Sequence, residues 1–255
     1  MPILFYKKVG ETPLEALNRL RLENPTLKSE RLSYAGRLDP MAEGLLLVLA
    51  GDECNEDRRQ TFLGLEKEYE VQVLFGFSTD SYDLLGIPKM TDHVNSDDLK
   101  LSIENILPGY VGGSHGLKYP PFSSKTVNGV SLFELAKSKD GTPSILPDIK
   151  GQIKGLKIIE VTSIAPKDLR DHIHKMVGIV NGDFRQKEIL NAWDEIINTA
   201  PEGTAFPLFK LLVQCESGVY MRSLADSLGN RVNSRALAFS IKRTRIGDYT
   251  DENMA

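Results

Sequence analysis

Asp39 is the carboxylate whose surroundings could make it reactive. It lies in Ser33-Tyr34-Ala35-Gly36-Arg37-Leu38-Asp39-Pro40-Met41-Ala42-Glu43-Gly44-Leu45-Leu46, between a glycine turn and an apolar run. A carboxylate on a loop pinned to the core in this way can serve as nucleophile or general base. Aspartate before proline is also a common turn starter, so this segment alone leaves the structural reading open. Other reactive types offer less. Cys54 and Cys215 are far apart and form no metal-ligand spacing, so they read as small buried hydrophobes rather than a disulfide or zinc site. His172 and His174 are two apart and face different sides of a helix, so no metal site is expected there.

The elements that must position Asp39 follow from residue patterns. Leu45 to Ala50 is wholly apolar and stops at Gly51, which fits either a strand buried on both faces or a buried helical turn. Upstream, Thr12-Pro13-Leu14-Glu15 reads as a capping box with proline at the first helical position, and Leu14, Leu17 and Leu20 follow at helical spacing. Tyr69 to Phe75 alternates as a strand with Tyr69, Val71, Val73 and Phe75 on one face. A polar loop is expected from Gly76 to Gly86, then a helix capped by Ser96 with Leu99, Ile103 and Ile106 inward. Gly112 to Asn128 is a long connection of the kind that often carries function. A short helix over Ser131–Lys137 and a strand around Leu156–Ile164 follow. Two helical patterns, Asp168–Val180 and Phe184–Asn198, read as a hairpin inserted between strands and hinged near Asn181-Gly182. Phe209, Leu211, Val213 and Cys215 alternate as a strand, a helix is expected over Tyr220–Leu228, and Lys242, Arg243 and Arg245 lie in a final strand-like segment.

A chain of 255 residues, 41% of them hydrophobic, can bury a sizeable core. No run approaches the roughly 18 apolar residues of a membrane span, and the first ten residues lack signal-peptide features, so a cytosolic protein is expected. A formal net charge of −4 argues against indiscriminate polyanion binding but allows a local basic groove.

Several further segments occur in a particular order. Lys67-Glu68-Tyr69-Glu70-Val71, Thr79-Asp80 to Gly86, Pro120-Pro121-Phe122-Ser123-Ser124-Lys125-Thr126-Val127-Asn128-Gly129, Gly218-Val219-Tyr220-Met221-Arg222-Ser223-Leu224 and Lys242-Arg243 to Gly247 all follow the Asp39 motif. Together they resemble the TruB-type family of tRNA pseudouridine synthases over nearly the whole chain, from about Ile3 to Tyr249. Tyr34 stands where many members carry a histidine, and none of the four histidines replaces it. Arg37 replaces a usual small residue, and the N-terminal family signature is reduced to Lys7-Lys8-Val9-Gly10.

The resemblance implies an α+β fold, a pseudouridine synthase-like catalytic domain over residues 1–249 around a mixed, largely antiparallel central sheet flanked by helices. The helical pattern at about 165–205 lies outside the resemblance as an insertion, and a tail is expected at 250–255, with no room expected for the C-terminal RNA-binding domain of many relatives. The resemblance makes Asp39 the nucleophile, Arg222 its partner, and Tyr69 the aromatic contact to the target base and a candidate for removing the C5 proton. Tyr220 and Ile241 are expected to wall the same pocket, with Tyr34 and Arg37 beside it. Lys7, Lys8, Arg37, Lys118, Lys125, Lys242, Arg243 and Arg245 become candidates for phosphate contacts. No cofactor or metal is expected, since the isomerisation consumes neither water nor redox equivalents. The expected partner is RNA, foremost uridine 55 in the tRNA T arm, with a monomer favoured. Two alternatives stay open: an inactive RNA-binding or RNA-folding protein on the same fold, and a synthase acting on another RNA.

Overall fold

The computed structural model describes residues 2–91, 96–113, 116–138, 143 and 145–253. His93 and His115 lie outside them, as does the side chain of Ser96, the expected cap.

The apolar run after Asp39 resolves as a strand. β1 (Ile3–Lys7) pairs antiparallel with β3 (Ala42–Ala50), and β2 (Leu32–Ala35) pairs with the far half of β3. Between β1 and β2, α1 (Pro13–Glu23) opens with the expected capping box, in which Thr12 and Glu15 each satisfy the other's backbone N–H. Ala16, Leu17 and Leu20 pack against Leu46 and Val48. Leu14 instead faces solvent, 60% exposed. Ala16, roughly 200° further round the helix, takes the core side, which turns Leu14 away.

After α2 (Glu56–Leu63), β4 (Lys67–Phe75) buries Tyr69, Val71, Val73 and Phe75 on one face, as the alternation requires. The expected loop from Gly76 is more ordered than its composition suggests. It contains β5 (Phe77–Thr79), which pairs with β6 (Pro88–Met90), and Asp83 organises the turn between them by accepting from Ser81 Oγ and Leu85 N. α3 (Ser96–Ile106) follows, then the small hairpin of β7 (Thr126–Val127) and β8 (Val130–Ser131) and the short α4 (Leu132–Lys137).

β9 (Ile153–Ile164) and β10 (Phe206–Cys215) pair antiparallel, and the expected hairpin leaves the sheet between them as α5 (Pro166–Gly178) and α6 (Gln186–Asn198). α7 (Met221–Arg231), β11 (Ala236–Ile246) and β12 (Tyr249–Thr250) complete the chain, so pairing continues just past the boundary expected at residue 249.

The main sheet runs β1-β3-β11-β4-β10-β9, with β2 on β3 and β12 on β11. Its β3–β11 pairing is parallel and the other pairings are antiparallel, so the sheet is mixed and largely antiparallel. One face carries Val71, Val73, Phe209 and Leu211 against α3 and α7. The opposite face carries Leu74, Leu208 and Leu237 against α5 and α6, whose Leu169, Ile173, Ile189 and Trp193 are fully buried there. Layers of helix on both faces of one sheet give an α+β architecture.

Candidate active site

Asp39 sits at the turn that feeds β3, and the parallel β3–β11 pair fixes that turn to the middle of the sheet. Gly44 makes the pairing possible: its φ is +110°, and a Cβ there would lie 2.3 Å from the Arg243 carbonyl oxygen. Ala42 N donates to Asp39 O at 3.0 Å and Gly10 N to Pro40 O at 2.8 Å, so the loop backbone is tied at both ends of the Asp-Pro step.

Arg222, in the first turn of α7, reaches this carboxylate from the other side. Its Nε lies 2.8 Å from Asp39 Oδ2, Nη1 donates to Ser81 O at 2.7 Å, and Nη2 donates to Phe122 O at 3.0 Å. Asp83 Oδ2 stands 3.7 Å from the same Nε. The Arg222 side chain is 3% exposed and that of Asp39 33%, so the arginine is sealed while the carboxylate keeps an open face. Burial alone would pull the guanidinium pKa down, but Asp39 and Asp83 outweigh it and hold it above its ordinary value. Burial pushes the Asp83 carboxyl up, against the pull of Arg222 and the Ser81 hydroxyl.

Tyr69 and Ile241 are buried on the sheet face that also carries Leu38. Burial raises the Tyr69 phenol pKa, with nearby Arg243 opposing, so the group is neutral at pH 7 and offers a ring and a hydroxyl donor. Tyr220 packs edge-on to Tyr119 at 5.4 Å, and Lys125 Nζ lies 5.2 Å over the Tyr119 ring. These contacts bring the Pro-Pro loop up to α7 beside Asp39, whose charge also raises the Tyr220 pKa after burial has done so.

Three expected contacts are corrected. Arg243 is 1% exposed and cannot meet a phosphate from there; its Nε donates to Leu45 O at 2.7 Å, and its terminal nitrogens reach Gly36 O and Arg37 O. Register decides this, because Arg243 lies opposite Gly44 in the parallel pair and projects under the Asp39 turn. Lys7 is equally buried, donating to Ala42 O at 2.5 Å, with its pKa pushed down to about 8 by burial. Both cations brace the loop from below. Tyr34 packs into the cluster of α1 and β3, away from the Asp39–Arg222 pair, because it lies opposite Val48 in the β2–β3 register. Arg245, half-buried, donates to Gly247 O at 3.0 Å and stays a candidate. Among the remaining candidates, Lys8, Arg37 and Lys125 are exposed, Lys118 pairs with Asp148 at 2.5 Å, and Lys242 lies 3.6 Å from Asp251.

A family model described as "TruB family pseudouridylate synthase (N terminal domain)" matches residues 24–178, more than half of the chain. The chain belongs to the TruB family. Its relatives include the tRNA pseudouridine synthase B of Synechocystis sp., 28% identical over 89% of this chain and 61% of that protein. That of Borreliella afzelii is 26% identical over 98% and 71%, and that of Flavobacterium johnsoniae 27% over 98% and 90%. This TruB-family chain thus spans less than two thirds of the Synechocystis protein. In fold it is similar to a chain of an H/ACA ribonucleoprotein bound to a substrate RNA containing 2′-deoxyuridine, with TM-score 0.52 and 15% identity over 97% of this chain and 48% of that one. It is likewise similar to a chain of a Cbf5-Nop10-Gar1 complex, with TM-score 0.53 and 14% identity over 97% and 50%.

Sequence reasoning about this TruB-family member missed the rest of the Arg222 shell. Ser81 and Phe122 contribute through backbone carbonyls, which no side-chain pattern marks. Asp83 carried a usable signal, an acidic residue in a polar loop with an apolar Leu84-Leu85 step immediately after it.

Proposed function

We propose that the chain is an RNA pseudouridine synthase that isomerises uridine to pseudouridine, with uridine 55 of the tRNA T arm as its target. The observation that carries this reading is the one-third-exposed Asp39 carboxylate held by a sealed arginine at 2.8 Å. Arg222 orients this carboxylate through Oδ2 and leaves it an open face from which to attack.

A uridine within folded RNA must be turned out of its stack, at a cost of a few kcal/mol, which an aromatic contact of about 1–3 kcal/mol offsets. Tyr69 supplies that ring, Ile241 an apolar wall, and Tyr220 the opposite side. Asp39 then attacks C6 of the base or C1′ of the ribose; the geometry serves either route. The C1′–N1 bond breaks, the uracil rotates, and a C1′–C5 bond forms. The C5 proton is lost, N1 gains one, and the carboxylate is released, so the ledger of atoms closes without water. Exposed Arg37 and Lys125 contact phosphate and set register rather than sequence. The proposed acting form is a monomer, and a tRNA substrate supports a cytoplasmic site of action. Residues 1–249 act as the catalytic domain, with 165–205 inserted in it.

The test is to incubate the protein with an unmodified T-arm transcript and map pseudouridine, with Asp39→Ala in parallel. Conversion of one uridine by the wild type and none by the variant supports the reading. RNA binding without conversion, in the T arm or in total cellular RNA, would make the fold a binding module.

A further inference from the structure

The tip of the inserted helical hairpin, Asp183 to Arg185, lies across the segments that hold Arg222. Arg185 Nη1 donates to Asp80 Oδ2 at 2.9 Å, and its guanidinium carbon stands 4.8 Å from the centre of the Phe122 ring. The other Asp80 oxygen accepts from Ile87 N at 2.9 Å and closes the loop that contains Ser81. Ser81 and Phe122 are the residues whose carbonyls take the terminal nitrogens of Arg222. Two segments about forty residues apart are therefore gripped twice, from inside by Arg222 and from outside by Arg185. Neighbouring contacts seat the tip: Phe184 meets Phe133 edge-on at 6.4 Å, Phe133 meets Phe122 at 6.0 Å, and Lys137 Nζ donates to Asp183 O at 3.1 Å.

A second observation is independent of these contacts. Arg185 has φ 63° and ψ 27°, the left-handed region that L side chains rarely adopt, and it precedes α6 without forming a side-chain cap. Such a conformation persists where tertiary contacts over-determine it.

We propose that Arg185 is a positioning residue for the Asp39–Arg222 pair, acting through Asp80 and Phe122 rather than on the RNA. The proposal rests on the isomerase reading above and gives the inserted hairpin a part in it. The Asp80 and Arg185 side chains are 38% and 28% exposed, so their ion pair adds little stability. What it fixes is geometry, and displacing a reacting group by about 1 Å can slow a reaction about a hundredfold.

The test uses Arg185→Gly, which removes the clasp and relieves the left-handed backbone, and Arg185→Lys, which keeps the charge but not the planar face. We expect Arg185→Gly to lower kcat about tenfold or more at saturating T-arm transcript, with Kd within about twofold and an unchanged or higher Tm. Amide exchange should quicken at Ile87 and at Phe133, whose N–H bonds Ser123 O. Arg185→Lys should recover part of kcat. A higher Kd with kcat unchanged would make Arg185 a phosphate contact and overturn the proposal, as would kcat and exchange both unchanged. If the wild type converts no uridine, the functional reading fails by itself; the clasp then stands or falls on whether exchange at Ile87 and Phe133 changes.

Discussion

At the scale of single residues, the site separates two jobs that one ion pair could have combined. Asp39 keeps solvent access and Arg222 gives it up, so the two positions respond differently to substitution. Asp39→Asn should abolish conversion while costing no more than about 1 kcal/mol of stability, because Arg222 retains Asp83 and two carbonyls. Arg222→Leu should abolish conversion and also cost about 3 kcal/mol, since it strands the buried Asp83 carboxylate. Urea midpoints beside turnover separate the two cases, and equal stability losses would contradict the assignment. Asp226 in α7 gives a pH signature. Burial pushes its carboxyl from 3.8 to about 6, against the pull of Asn230 and Arg235. The folded state therefore holds this proton more tightly than the unfolded state does. Its contribution is greatest below about pH 4, falls as pH rises towards 6, and is flat beyond. Asp226→Asn should flatten that fall and raise stability at pH 7 by about 1–2 kcal/mol, after allowance for solvent screening at a half-buried site. Tm against pH for both proteins measures it; parallel curves would show that Asp226 is not the group responsible.

At the scale of elements, the inserted hairpin is part of the core rather than an appendage. Its α5 and α6 bury Leu169, Ile173, Val177, Ile189, Trp193 and Ile197 against the sheet face opposite α7. Trp193 packs on Phe77 with centroids 5.2 Å apart and donates Nε1–H to Leu84 O at 3.3 Å, so the hairpin also supports the loop that carries Asp83. Ile189→Ala should cost about 2–5 kcal/mol through the cavity it leaves. Trp193 is the chain's one tryptophan, so its fluorescence reports whether α6 stays docked. Emission should keep its buried position in the variant while the denaturation midpoint falls. A red-shifted native spectrum would instead mean that the hairpin undocks at little cost.

At the scale of the whole molecule, charge sets how RNA can be held. The chain carries a net charge of −4, and Lys7 and Arg243 are spent on its own backbone. Among the described candidates, Lys118 and Lys242 face carboxylates, which leaves a small set of exposed cations such as Arg37 and Lys125. With about 2–4 phosphate contacts, log Kd should rise with log salt at a slope of only about 2–3. Arg37→Ala should lower that slope by roughly 1 and weaken T-arm and unrelated RNA alike. A slope near 8 would require phosphate contacts well beyond these exposed cations among the described residues.

The sequence by itself determined whatever depends on local period and spacing: the capping box of α1, the alternation of β4, the paired helices between β9 and β10, and the pinned turn at Asp39. Each depends on near neighbours, so its residues carry the full signal. The exposure of Leu14 was beyond that signal, because which side of α1 meets the sheet depends on strands that follow it. The functions of the arginines were also beyond it. Arg222, Arg243 and Arg185 are the same residue type in polar surroundings, yet one grips Asp39, one braces its loop and one clasps the loops outside it. Their partners are up to 207 positions away, and strand register and helix docking decide which oxygen each guanidinium meets. Only the tertiary structure fixes those distances, because a charged side chain takes its role from the groups that enclose it.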